Sequence, residues 1–319
     1  MKPRVVVTRK PPGDSLDRVN QVADVWVWPE ERRIDRDALE EQIRDAVGLY
    51  SMLTDPIDEA LLDLAPSLKV ISNMAVGVDN INLDACAKRG IAVGHTPGVL
   101  TDATADVAWM LLMASSRRMT EGVDQVRNGD WGPWDPLGDL GYDIARTTLG
   151  IVGMGRIGEA VARRSIGFNM DVVYSSRSEK PNAESAFGAR RLPLHEMLGI
   201  ADHVVVCVAL NDQTRHLIGR AEFQAMKDTA NFVNVARGPV VDTDALYEAL
   251  TSGLIRCAGL DVTDPEPLPP GHPLVGLSNC TIVPHIGSST WRTRVAMADL
   301  AADNLIAGLS DLPLPHRVA

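Results

Sequence analysis

Three segments of this 319-residue chain each place a residue that can carry charge just after an apolar run. NVARGPVVD does so with Arg237, GLDVTDPEPLP with Glu266, and VPHIGSST with His285. The three lie 29 and 19 positions apart in sequence. If the apolar runs are parallel strands of one sheet, their C-terminal ends are where ligands bind in open α/β folds. The three side chains would then converge on one cleft. A guanidinium offers a planar fork of donors to a carboxylate or phosphate, and a histidine can supply a proton near neutral pH. Each residue also has a plainer reading. His285 could be an ordinary turn residue, Arg237 a loop brace, and Glu266 a solvated acid between prolines.

A second constellation is LGIVGMGRIGEAVARR, which reads as strand, then Gly153-x-Gly155-x-x-Gly158, then helix. Glycines at this spacing allow a tight turn, close approach to a pyrophosphate and close helix–strand packing. The helix N-terminus then presents unpaired N–H groups and a favourable dipole to phosphates. A bare glycine motif is weak, but here a strand precedes it, a helix follows, and another strand comes at the right distance. That next strand, DVVYS, ends in Ser175, 22 residues after Gly153, where an acid that grips a ribose is expected. An aspartate there would repel a 2′-phosphate by about 4 kcal/mol for charges ~4 Å apart at an effective dielectric of ~20. Ser175 and Ser176 are hydroxyls instead, and Arg177 is a planar cation suited to phosphate. NADP(H) is therefore the preferred cofactor, with NAD(H) possible. An idle arginine in a solvated loop is the competing reading.

The elements that must position these residues follow from the pattern. Strand-like runs occur at 4–8, 25–28, 48–52, 69–74 and 91–95, then at 148–153, 171–175, 203–208, 231–235, 257–262 and 280–284. Segments of helical length separate them, which argues for parallel sheets with covering helices. One long helix is expected from an N-cap near Thr101 through Met119, another from Ser288 or Ser289 through Leu309. About 170 residues lie between them, a full domain. The expected fold class is α/β: two Rossmann-like, doubly wound parallel-sheet domains with a cleft between them. Residues 1–100 and 288–319 form the substrate domain, and residues 101–287 form an inserted dinucleotide-binding domain.

The sequence resembles the D-isomer-specific 2-hydroxyacid dehydrogenase family, most sharply its glyoxylate/hydroxypyruvate reductase branch. The resemblance covers essentially the whole chain. It is strongest at VISNMAVGVDNI, GHTPGVLTDATADVAWMLL, GIVGMGRIGEAVARR, NVARGPVVD, GLDVTDPEPLP and VPHIGSSTWRTR. It implies His285 as general acid, with Glu266 orienting the ring and favouring its protonated form. It implies Arg237 as the clamp on the substrate carboxylate, helped by the backbone N–H groups of Val76 and Gly77, with Ser288 near the substrate or capping the last helix. To the dinucleotide it assigns Thr104, the turn Gly153, Met154, Gly155, Arg156, Ile157 and Gly158, the strand end Ser175, Ser176, Arg177 and Ser178, and then Val208, Val235, Ala236, Asp261 and Gly287. The reaction implied is NADPH-dependent reduction of glyoxylate to glycolate and hydroxypyruvate to D-glycerate. A bulkier 2-oxo acid is the alternative substrate. A dinucleotide-sensing binding protein, like the carboxy-terminal-binding corepressors, is the alternative class.

Composition sets the remaining bounds. With 31 basic and 42 acidic residues the net charge is −11, and no basic run offers a surface to nucleic acid or membrane. Four widely spaced cysteines (Cys86, Cys207, Cys257, Cys280) read as buried thiols of a reducing compartment. The start, MKPRVVVTRKPP, lacks the pattern of a secretory signal, so a cytoplasmic location is expected. The histidines other than His285 lack metal-ligand spacing, and no catalytic metal is expected. Finally, NGDWGPWDPLGDLGYD (128–143) is long for a structureless loop, which points to function or a partner. The resemblance implies a homodimer through the inserted domain, with Trp134, or else Trp131, reaching toward the neighbour's site. The plainer reading packs both rings on their own subunit.

Overall fold

The structure is a computed structural model that describes residues 1–318. The chain divides into two compact units, Met1–Leu100 with the chain from Ser288 onward, and Thr101–Gly287. In the first unit, β1 (Arg4–Val7), α1 (Ser15–Val22), β2 (Asp24–Val27), α2 (Arg36–Gln42), β3 (Gly48–Ser51), α3 (Glu59–Asp63), β4 (Val70–Asn73), α4 (Leu83–Lys88) and β5 (Ala92–Gly94) alternate. Their five strands form one parallel sheet in the order β2-β1-β3-β4-β5. This is the flavodoxin-like doubly wound order.

In the second unit come α5 (Thr101–Ser116), α6 (Met119–Asn128), β6 (Thr148–Val152), α7 (Arg156–Ser165), β7 (Asp171–Ser175), α8 (Pro181–Phe187) and β8 (Arg190–Arg191). They are followed by α9 (Leu194–Ile200), β9 (His203–Val206), α10 (Arg220–Ala225), β10 (Asn231–Asn234), α11 (Thr243–Ser252), β11 (Cys257–Leu260) and β12 (Cys280–Ile282). Seven parallel strands take the order β12-β11-β10-β9-β6-β7-β8. Its reversal between β9 and β6 is the switch point at which such sheets bind ligands. The last helix, α12 (Trp291–Leu309), belongs to the first unit.

Strand periodicity explains how both faces of each sheet are covered. Side chains alternate across a strand, and on the central strands both sets are buried. Val6, Leu49, Ile71 and Val93 pack with Leu39, Leu61, Leu62 and Cys86 from α2, α3 and α4, and with Ile43 just past α2. The opposite face meets α12: Ser72 Oγ donates to Ala301 O at 2.7 Å. In the second unit Val204 and Val206 pack with Phe223, Leu246 and Leu250 from α10 and α11. Val205 packs on the other side with Ala105 and Leu112 of α5 and Val161 of α7. Such continuous apolar runs are what a sheet buried on both faces requires.

Three expectations need correction. The first long helix does not run to Met119. It ends at Ser116, because Arg118 turns left-handed (φ 53°) and its guanidinium forks onto Glu121 at 2.8 and 2.9 Å, opening α6. The last helix is not capped by Ser288 or Ser289. Thr290 is the cap, its hydroxyl accepting from Thr293 N at 3.2 Å. The two-residue edge strand β8 was absent from the expected strands, since two arginines carry no apolar signal. Among the described residues no helix is long and apolar enough to cross a membrane.

At the opposite, N-terminal end of the second sheet, His203 is buried at 2% exposure, with its Nδ1 3.5 Å from Ser116 Oγ. Burial lowers its proton affinity below the usual value near 6.5, Lys227 acts in the same direction, and the charge of Asp202 opposes. The unfolded chain therefore takes up this proton at a higher pH than the folded one. The associated stability is complete above about pH 6.5 and falls as the pH drops below it. Melting temperatures between pH 7.5 and 5 should decline, and His203→Leu should flatten that decline. An unchanged slope in the variant would remove His203 from the account.

Candidate functional site

The glycine turn is built as its spacing demands. β6 ends at Val152, Gly153 takes φ 97°, and Gly155 forms the N-cap of α7. A Cβ on Gly158 would lie 2.3 Å from the Gly153 carbonyl oxygen, so only glycine lets α7 approach the strand this closely. A Cβ on Gly155 would meet nothing within 4 Å, and the backbone there stands open. Beside the turn lies a cavity of about 520 Å³. Its walls come from Val152–Gly155, Ser175–Ser178, Lys180 and the chain following β9. The size and the open helix N-terminus suit an extended phosphate-bearing ligand.

The wall at the end of β7 carries hydroxyls and cations. It holds Ser175, Ser176, Arg177, Ser178 and Lys180, and no carboxylate lines the cavity among the described residues. Two cations and no acid suit a phosphate, as a ribose-gripping aspartate would not. The Ser176 hydroxyl donates to Ser178 O at 2.6 Å, so its proton is engaged inside the loop. Arg191 of β8 donates from Nε to Ser176 O (3.1 Å) and from Nη2 to Arg177 O (3.2 Å). Tyr174 accepts from Lys180 N (2.8 Å) and donates to Glu184 (2.6 Å), folding the loop back over β7. Sequence reading missed Lys180, although its charge five residues after Ser175 was there to find. It also missed Arg191, whose reach depends on the pairing of Tyr174 with Arg191 across β7 and β8.

The same unit brings His285 and Glu266 together. His285 sits in the left-handed region (φ 52°) just past β12, and its Nδ1–H donates to Glu266 Oε1 at 2.6 Å. A carboxylate accepts only, which fixes the ring's tautomer and leaves Nε2 for other work. Burial opposes ionisation of Glu266, but the His285 hydrogen bond and charge, the Thr263 N–H and the Arg237 charge outweigh it. The carboxyl lies below its ordinary range. Arg237 follows β10 in an extended conformation (φ −146°), with Nη1 donating to Ala236 O at 2.9 Å. Asn234 holds that corner: its Oδ1 accepts from Ala236 N and its Nδ2 donates to Arg237 O, each at 3.0 Å.

Asp261, at the end of β11 and 2% exposed, accepts from Ile286 N at 2.6 Å and from Gly287 N at 3.0 Å. Burial raises its carboxyl above the ordinary range, and these N–H groups and the His285 charge pull it back. Thr104 is buried in the first turns of α5, and Val235 and Ala236 are buried after β10. Met154 and Val208 line the cavity, whereas Arg156 and Ile157 open α7 outside its lining. In the first unit, Val76 and Gly77 follow β4, and Ser288 O accepts from Thr290 N. In the second unit, Trp131 and Trp134 are 77% and 86% exposed, with Leu137 exposed beside them.

Comparisons with known proteins agree on one family. The profile of the D-isomer specific 2-hydroxyacid dehydrogenase NAD binding domain matches residues 109–287. A glyoxylate reductase of Thermococcus gammatolerans is 48% identical over 311 residues, covering 96% of this chain and 93% of that protein. A mouse glyoxylate reductase/hydroxypyruvate reductase is 46% identical, covering 100% of this chain and 99% of that protein. Among solved structures, an NADPH-dependent glyoxylate/hydroxypyruvate reductase of Sinorhizobium meliloti, in complex with NADP and malonate, is similar with TM-score 0.86 and 31% identity. The match covers 100% of this chain and 97% of that one.

The close approach at Gly158 has a measurable consequence. Gly158→Ala forces its Cβ against the Gly153 carbonyl and must push α7 away from β6. Overpacking of this kind costs about 1–3 kcal/mol. The variant should melt lower and bind dinucleotide at least ~10-fold more weakly by calorimetry, one decade being about 1.4 kcal/mol. Wild-type binding in a folded variant would show that the turn is not part of the nucleotide site.

Proposed function

The chain belongs to the D-isomer-specific 2-hydroxyacid dehydrogenase family, and from that membership we propose that it reduces small 2-oxo acids with NADPH. Glyoxylate and hydroxypyruvate are the first substrates, giving glycolate and D-glycerate. The observation that carries this reading is the 2.6 Å bond from His285 to a Glu266 carboxylate that also feels the Arg237 charge.

Each group has a role in this proposal. The bound dinucleotide supplies the hydride. His285 gives the proton on Nε2 to the ketone oxygen, while Nδ1 stays tied to Glu266. The Glu266 carboxylate keeps the ring oriented between turnovers. Arg237 holds the substrate carboxylate and polarises the ketone, where fixed donors aimed at developing charge do most. The N–H groups of Val76 and Gly77 serve the same carboxylate. Arg177 and Lys180 favour a 2′-phosphate, and Ser175 puts no negative charge against it. Two copies pair through the second unit, and the exposed Trp131, Trp134 and Leu137 supply apolar surface for the contact.

Initial rates of glyoxylate reduction test the chemistry and the cofactor together. NADPH should exceed NADH by at least ~10-fold, about 1.4 kcal/mol of discrimination. Arg177→Ala should erase most of that margin. His285→Ala should chiefly lower kcat, and Arg237→Ala should lower kcat/KM by roughly a hundred-fold or more, as expected when a charge-assisted clamp is lost. Near-normal turnover in either catalytic variant would remove that residue from its role. Trp131→Ser with Trp134→Ser should sediment as a monomer. A double variant still dimeric would place the contact elsewhere.

A further inference from the structure

We propose that His95 is a positioning residue for the substrate-carboxylate cradle: its ring grips the Val76 carbonyl and so aims the Gly77 N–H. This rests on the reading that Val76 and Gly77 receive the carboxylate of a 2-oxo acid. The ring itself lies outside the acid–base set already described.

The argument starts from the peptide plane. In a trans peptide the N–H points opposite to the C=O of the preceding residue. Whatever fixes one carbonyl therefore aims the next N–H. Thr96 N donates to Ala75 O at 2.9 Å, which turns the Val76 N–H away from Thr96. His95 Nδ1 lies 2.8 Å from Val76 O, which turns the Gly77 N–H away from His95. A carbonyl oxygen only accepts, so Nδ1 carries the proton. Adjacent residues thus hold consecutive carbonyls, and the two following N–H groups both point away from residues 95 and 96. One hold is backbone and survives any substitution. The other depends on the imidazole.

The surroundings fix His95 apart from its ring. His95 N donates to His316 O at 3.0 Å, and His95 O accepts from Asn304 Nδ2 at 2.9 Å. Beyond the cradle, Asn73 Nδ2 donates to Gly77 O at 3.0 Å, steadying the next peptide from the end of β4. Replacing the ring therefore leaves its own backbone held and removes the donor to Val76 O. The neutral Nδ1–H tautomer and the imidazolium supply the same donor, so the hold needs no charge on the ring. An asparagine amide can place an N–H near the Nδ1 position, whereas leucine cannot.

Steady-state kinetics with glyoxylate and NADPH would compare the wild type, His95→Leu and His95→Asn. Inhibition by oxalate, a carboxylate that takes no hydride, reports binding alone. No bond of the carboxylate itself forms or breaks, so a loss confined to holding it appears in KM. His95→Leu should raise both KM for glyoxylate and Ki for oxalate by about ten-fold or more, the size expected for one charge-assisted hydrogen bond. Saturated kcat and KM for NADPH should stay within about two-fold, a margin well under one decade. His95→Asn should recover most of the lost affinity.

Unchanged KM and Ki in His95→Leu, in an active wild type, would overturn the positioning role alone. So would a parallel loss of kcat and NADPH affinity that asparagine does not rescue, since that marks general damage. A wild type inert toward 2-oxo acids with either dinucleotide would instead sink the functional reading, and this inference with it.

Discussion

A buried carboxylate governs the loop that carries the proposed acid. Asp261 lies at the end of β11, out of contact with water, yet holds Ile286 N and Gly287 N. Burying such a group is unfavourable unless its oxygens are satisfied. Here the two donors come from the chain just past His285, so the loop's conformation and the carboxylate's solvation are one constraint. His285 N also donates to Asp261 O at 2.9 Å, which ties the histidine's own backbone to the same residue. The left-handed backbone of His285 is unfavourable for a residue with a side chain. It persists because bonds on both sides over-determine it, and the ring then faces Glu266.

The parallel sheet explains why so much of this was legible in the sequence. Strands buried on both faces are largely apolar runs, and the loops after three of them carry the charged candidates. Arg237, Glu266 and His285 could be found because β10, β11 and β12 are neighbours in the sheet and their ends lie side by side. The glycine turn was legible because steric demands leave glycine no substitute at Gly158. What stayed hidden depends on side chains reaching across elements. Nothing in GARRLP announces that Arg191 will hold the carbonyls of Ser176 and Arg177. Nothing in SSRRM reveals that Arg118 will fork onto Glu121 and restart the helix.

The β7 end also shows why residue type alone is a coarse guide to cofactor selection. Three serines and an arginine follow Tyr174, and all look able to donate to a phosphate. The Ser176 proton, however, is taken by Ser178 O. A phosphate is an acceptor and needs donors, so the hydroxyl count overstates what the loop can offer. Arg177 and Lys180 are the cationic donors in the cavity wall, one a planar guanidinium and the other a compact ammonium. In the proposed preference for NADPH these two cations supply the attraction, and the serines mainly avoid the repulsion an acid would bring.

The same physical device recurs at three places in the molecule. Asp261 fixes a loop by taking two N–H groups, Arg191 fixes another by occupying two carbonyls, and His95 fixes a third by occupying one. In each case the side chain spends its polar atoms on backbone at a strand end. Backbone donors aimed by Arg191 and His95 lose little entropy when a ligand arrives, because their ordering is already part of the fold. They also do not titrate, so a carboxylate or phosphate meets the same donors at any pH at which the chain is folded. The proton of the proposed reaction is then left to His285, held by Glu266.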